Sequence, residues 1–125
     1  MDYRKEYEKW LASPALSEDE RAELRALEGN DKEIKARFYG PLEFGTAGLR
    51  GTMYTGLHNM NRHVIRWATQ GFANVIRAEG TEAMQKGIAV CMDCRNHSAE
   101  FARETACVMA ANGIHVRLFE SLRPT

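Results

Sequence analysis

The sequence predicts an α/β fold: a three-layer α/β/α domain around a mixed sheet, preceded by an N-terminal helical extension. Three observations lead there. The apolar run Ile88–Met92 reads as a strand buried on both faces. Ile114, Val116 and Leu118 alternate with His115, Arg117 and Phe119 as a second strand. Between them lies an amphipathic segment with Phe101, Thr105, Val108 and Met109 on one side, so strand, crossover helix and strand form a parallel β-α-β unit.

The elements follow in order. Tyr3, Tyr7, Trp10 and Leu11 make one apolar stripe on a charged helix that Ser13-Pro14 breaks. Ser17 and Glu20 form a capping box opening a helix with Leu24 and Leu27, which Gly29-Asn30 stops. Asp31 is placed to cap a third helix bearing Ile34 and Phe38, ended by Gly40-Pro41. The aromatic residues of these helices are expected to dock on the domain that follows. Residues 42–60 change character, with glycine at 45, 48, 51 and 56 among β-formers, and suggest a glycine-rich loop feeding a strand or irregular hairpin. Asn59 or Asn61 then caps a long helix with Val64, Ala68, Phe72, Val75 and Ile76 facing inward, ended by Gly80. After the strand at 88–92, Ser98 caps the crossover helix and Asn112-Gly113 closes it. The boundaries expected are a helical extension over 1–41 and an α/β domain over 42–125, an incomplete domain whose second parallel strand runs out where ligand loops of open α/β sheets begin.

Composition sets the class. The chain has 125 residues, 44% hydrophobic and 27% charged, ordinary globular material for one compact domain. Seventeen basic residues balance seventeen acidic ones, leaving no electrostatic footprint for nucleic acid. No apolar run reaches the roughly 20 residues that span a bilayer, and the charged start MDYRKEYEKW lacks a signal-peptide core. A cytoplasmic location is expected, with neither nucleic acid nor membrane as partner. The three cysteines Cys91, Cys94 and Cys107 cannot all pair, which fits a reducing compartment. Cys91 and Cys94 form a C-x-x-C without the second ligand pair of a zinc site.

Two stretches could carry chemistry. FGTAGLRG, residues 44–51, is G-x-x-G-x-x-G, neither the dinucleotide pattern nor a P-loop. Without Cβ atoms at Gly45, Gly48 and Gly51, backbone N–H groups can close around an anion, and Arg50 adds a planar fork matched to phosphate oxygens. The other reading is a hairpin with a solvated arginine. CMDCRNHS, residues 91–98, follows the first parallel strand. Ser98 reads as a helix cap before a nucleophile, because adjacent His97 does not supply triad geometry by sequence proximity. Asp93 and Arg95 read as a structural pair or as partners of the glycine-rich loop. His58, His63 and His115 have no metal spacing and read as surface or interior histidines.

FGTAGLRG, NMN, ATQGFANVI, VCMDCRNHSAEFARETACVMAANGIHVRLF and LRPT, in this order, strongly resemble the N-terminal domain of the α-D-phosphohexomutases, in the phosphoglucomutase/phosphopentomutase branch that carries a helical N-terminal extension. The resemblance runs from about Leu42 to Thr125 and implies a four-domain enzyme several times longer. Such enzymes interconvert sugar 1-phosphates and 6-phosphates (glucose or mannose type) or the pentose equivalents, through a phosphoserine and a bisphosphate intermediate. It further implies Mg²⁺, a glucose 1,6-bisphosphate-type activator, a sugar-phosphate substrate, and the remaining domains of the same polypeptide as partners. The family's T-A-S-H-N-P serine loop and D-G-D-x-D-R metal loop do not occur here, so no catalytic or metal-binding residue is expected in this chain and the chain alone is expected to be inactive. The phosphoserine loop is expected after Thr125. What the resemblance carries over is a phosphate-binding role for Arg50, Thr46 and Gly48. Departures are H-N-M-N at 58–61 with Asn59 where arginine is common, Cys94 in D-x-R, and Tyr54-Thr55 before Gly56. The alternatives are a non-catalytic α/β binding module and, behind it, a C-x-x-C dithiol redox protein.

Overall fold

The computed structural model describes residues 2–45, 48–49, 51–91 and 97–119, with residues 44–45 and 48–49 described by their backbone. The chain divides into two compact units, Met1–Val64 and Ile65–Thr125.

The first unit holds helices α1 (Tyr3–Leu11), α2 (Glu18–Arg25) and α3 (Asp31–Phe38), and strands β1 (Phe44–Gly45) and β2 (Gly48–Leu49). Each helix starts on a side-chain cap, which satisfies donors that have no partner within the helix. Asp2 accepts from the Arg4 N–H, and Ser17 and Glu20 form the reciprocal capping box. Asn30, not Asp31, caps α3, its side chain accepting from the Glu33 N–H at 3.3 Å. Gly29, at φ 86°, turns the chain one residue earlier than expected. Asp31 is thereby freed to accept from the Tyr3 hydroxyl at 2.9 Å and the Arg4 guanidinium at 2.6 Å.

The helical stripes meet in one core of Tyr7, Leu16, Leu24, Leu27, Ile34, Phe38 and Leu57, with Tyr3, Trp10 and Leu11 packed against it. The Tyr7 and Trp10 rings stand edge-on to Phe38, each at 5.7 Å between centroids. Such pairs add about 0.5–1.5 kcal/mol beyond the area they bury. The Tyr7 hydroxyl donates to the Leu24 carbonyl at 2.6 Å, and burial, with Glu28 nearby, raises its pKa. The aromatic residues expected to dock on a following domain thus build the core of the helical segment itself. They do so because three short helices have no other apolar surface to bury.

One carboxylate stitches this unit. Glu20 closes the capping box, takes the Arg62 guanidinium at 2.6 Å and contacts His63 Nε2 at 2.8 Å, while the His63 ring lies edge-on to Trp10. Burial pushes the carboxyl up, but Arg62, Ser17 and His63 outweigh it and hold its pKa at about 2.

Helix α4 (Arg62–Glu79) begins in the first unit and runs into the second, which adds α5 (Thr81–Lys86), β3 (Ile88–Val90), α6 (Ser98–Ala111) and β4 (Val116–Leu118). Asn61 caps α4, its Oδ1 accepting from the Val64 N–H at 3.0 Å. β3 and β4 pair in parallel, Ile88 with Val116 and Val90 with Leu118, so the α/β class and its β-α-β unit are as expected. Among the described residues the antiparallel pair β1–β2 and the parallel pair β3–β4 are separate two-stranded sheets. Ala73, Met109 and Ile114 form the core of this unit, with Ile76, Met84, Ile88 and Val116 against it. The reciprocal amide pair Gln70–Asn112, at 2.8 and 3.0 Å, ties α4 to the end of α6.

Three expectations need correction. Ala89 and Leu118 are exposed, so neither parallel strand is buried on both faces. Phe72 and Val75 of α4 are exposed, and Thr69, Ala73 and Ile76 form its inward side instead. α4 is apolar on two sides, so periodicity alone did not select one. Ser98 is the first residue of α6, and the cap position belongs to His97, at φ 63°. Helix α5 was not anticipated; Gly80 and Gly87, both at positive φ, delimit it.

Two predictions follow from these contacts. A Cβ on Gly87 (φ 73°) would lie 2.0 Å from the His115 carbonyl oxygen, whereas one on Gly113 (φ 76°) would meet only the end of Met84, at 3.4 Å. G113A should therefore cost about 1 kcal/mol in urea unfolding and G87A about 3 kcal/mol or more. Equal losses would contradict the close approach. For Glu20, the folded pKa lies below the unfolded value of 4.5, so its contribution is fully present above that pH and is lost as pH falls toward about 2. The urea midpoint should drop across that window in the wild type and less steeply in E20Q; identical slopes would refute the assignment.

Candidate functional site

The glycine-rich stretch folds as an antiparallel hairpin, with Phe44 paired to Leu49 and Gly45 to Gly48. Gly48 thus sits in a strand whose partner also lacks a side chain, which leaves the ladder open to close backbone approach. Thr46 and Arg50, the two predicted phosphate contacts with side chains, lie outside the described residues.

The structure shows how the chain after the hairpin is anchored. A Cβ on Gly51 would lie 2.9 Å from Leu42 Cδ1 and 3.4 Å from the Met60 nitrogen, so the backbone here runs tight against both. The Met60 and Tyr54 N–H groups both donate to the Thr52 carbonyl, at 2.8 and 3.0 Å. Asn61 donates to the carbonyls of Tyr54 and Gly56, at 3.0 and 2.9 Å, while its Oδ1 caps α4. One side chain therefore fixes both the loop and the start of the helix.

The loop rests on Arg37, a buried arginine on the inner side of α3. Its Nη1 donates to Glu23 Oε1 at 3.0 Å and to the Thr55 carbonyl at 3.3 Å, its Nε donates to Glu33 at 3.0 Å, and its guanidinium lies 4.7 Å from the Tyr54 ring centroid. Glu23 in turn accepts from both the hydroxyl and the N–H of Thr55. The Arg37 carbonyl accepts from the His58 N–H at 2.8 Å, and a Cβ on Gly56 would come within 2.9 Å of Arg37 Cβ. His58 completes the seam, with Nε2 2.8 Å from the Tyr39 hydroxyl and Nδ1 3.1 Å from the Gly40 carbonyl. Arg37, Glu23 and Thr55 were not singled out from the sequence. The available signal was Arg37 itself, a charge set beside Ile34 and Phe38 on an apolar helical stripe.

The second stretch is only partly described. Cys91 follows β3 as an exposed free thiol, and Asp93, Cys94 and Arg95 lie outside the described residues. The His97 ring stands 3.2 Å from the Glu100 carboxylate. Among the described residues no group of three His, Cys, Asp or Glu could hold a metal ion, so the Mg²⁺ implied by the resemblance has no ligand set here. No helix among them is long and apolar enough to cross a membrane. The chemistry within reach of this chain is anion binding on a glycine hairpin held in place from behind.

Comparison with known proteins agrees with the fold. The family described as Phosphoglucomutase/phosphomannomutase, alpha/beta/alpha domain I, matches residues 41–125. Human phosphopentomutase is 39% identical over 104 residues, 78% of this chain and 17% of its own length. The phosphomannomutase of Mycoplasma pneumoniae is 30% identical over 120 residues, 96% of this chain and 22% of its own. The mouse glucose 1,6-bisphosphate synthase is 32% identical over 123 residues, 94% of this chain and 20% of its own. The chain thus spans about a fifth of the length of these curated relatives. No solved structure matches.

The anchor can be tested without ligand. R37A should cost about 2 kcal/mol, below the roughly 3–5 kcal/mol typical of a fully buried pair, because the Glu23 side chain is 35% exposed. In a double-mutant cycle with E23Q the two losses should be strongly non-additive. Additive losses would mean that Arg37 and Glu23 do not act as one anchor.

Proposed function

The chain belongs to the phosphoglucomutase/phosphomannomutase family, by its alpha/beta/alpha domain I, and from that premise we propose that it supplies the first domain of a sugar-phosphate mutase. Residues 42–125 are that domain and residues 1–41 its helical extension. In this reading Arg50, Thr46 and the backbone of Gly48 bind a substrate or serine phosphate. The single observation that supports it best is that the family match covers the whole glycine hairpin, with Gly45 and Gly48 facing each other across the ladder. Paired residues without side chains leave N–H groups approachable by an anion, and an arginine next to them supplies a bidentate fork.

The reaction is interconversion of sugar 1-phosphate and sugar 6-phosphate, or the pentose equivalents, through a phosphoserine and a bisphosphate. The serine loop and the Mg²⁺ ligands come from polypeptide outside these 125 residues, since neither motif occurs in the sequence. This chain contributes positioning and charge neutralisation at phosphate, the larger part of what protein groups do in phosphoryl transfer. A glucose 1,6-bisphosphate-type activator and a cytoplasmic setting complete the reading.

Titration of the ¹⁵N-labelled chain with glucose 1,6-bisphosphate tests it. The amides of Gly45, Gly48 and Gly51 should shift saturably in the wild type and not in R50A, while the purified chain turns over no glucose 1-phosphate. Equal shifts in R50A, or none in the wild type, would return the hairpin to a simple turn.

A further inference from the structure

Helix α4 carries apolar residues on two sides. One side, with Thr69, Ala73 and Ile76, faces its own unit's core. The other holds Trp67, Gly71, Phe72, Val75 and Ala78, and Trp67, Phe72 and Val75 are 59%, 55% and 59% exposed. At about 100° per residue these five positions cover an arc of roughly 140°, as wide as a core-facing stripe. None of the five is charged. A Cβ on Gly71 would have nothing within 4 Å, so an open notch lies between Trp67 and Val75, one turn to either side. A small residue flanked by large ones at four-residue spacing is a groove into which another element's ridge can pack. Contiguous apolar surface of this kind marks a docking site, unlike single exposed residues.

We propose that this face seats an apolar segment of the same polypeptide, drawn from the part of the mutase chain outside the matched fifth. The choice of occupant rests on the function proposed above; the face itself does not. Two further observations select an intrachain segment over a second copy. The relatives match almost this entire chain, yet 78–83% of their length lies outside the match. The matched family unit is an α/β/α layer structure, while the parallel sheet here has two strands among the described residues and also leaves Leu118 exposed. A helix apolar on two sides belongs between two layers.

The reporter is Trp67 itself. The chain labelled with 5-fluorotryptophan gives two ¹⁹F resonances, from Trp10 and Trp67, and W67F assigns them. In the isolated chain the Trp67 signal should show a full H₂O/D₂O solvent shift at every protein concentration. In a chimera joining this chain to the remaining four-fifths of human phosphopentomutase that shift should disappear. V75D should leave the melting temperature of the isolated chain unchanged and lower that of the chimera. If the chimera does not fold, titrating the isolated chain with the remainder as a separate polypeptide reads the same signal. Loss of the solvent shift on concentrating the isolated chain would identify a second copy as occupant and overturn the proposal. Persistent exposure in a folded chimera or in the mixture would overturn it too. A chimera with protected Trp67 and no mutase activity keeps the docking face and discards the function, whereas an active one with exposed Trp67 does the reverse.

Discussion

The guanidinium of Arg37 is the point on which the first unit turns. Its charge is removed from water and balanced by Glu23 and Glu33, with the Thr55 carbonyl taking a further proton and the Tyr54 ring set against its plane. A buried cation is tolerated only when such partners are all present, so the arrangement fixes α2, α3 and the loop around Thr55 together. Because the same residue's carbonyl receives the His58 N–H, side chain and backbone impose one register. The glycine hairpin is continuous with that loop and inherits its anchor on the C-terminal side.

This gives the helical extension a physical reason to exist. Its core takes in Leu57 from beyond the hairpin, and Glu20 at the head of α2 holds Arg62 and His63 at the start of α4. The extension is therefore no appendage to the loop but its support. A phosphate-binding turn must hold its N–H groups in place before the ligand arrives, since preorganisation is what makes oriented dipoles effective. In the second unit the same logic is incomplete. A two-stranded parallel sheet is marginal by itself, and α4 meets it with one apolar side while showing another to solvent.

Much of this was legible in the sequence. The capping box at Ser17–Glu20, the helix stop at Gly80, the β-α-β unit and the Asn112-Gly113 terminus are local signals, and each appears where its chemistry requires. The misses were long-range. Which side of α4 faces inward depends on what α6 and the strands present, and no periodicity within α4 contains that. The cap of α3 moved by one residue because Gly29 turned early and Asp31 found Tyr3 and Arg4, 28 and 27 residues away. Arg37 escaped notice because a charged residue on a helical stripe reads as solvated until its three partners, from three segments, are brought together by the fold. The family motif identified the hairpin; only the structure identified what holds it.

The central claim is that the helical extension and the segment after the glycine hairpin unfold as one body through Arg37. Native-state hydrogen exchange measures this directly. The amides of His58 and Met60 should exchange with the same opening free energy and denaturant dependence as those in the middle of α3. If they exchange through small local openings while α3 stays protected, the loop is merely resting on the helices and the account is wrong.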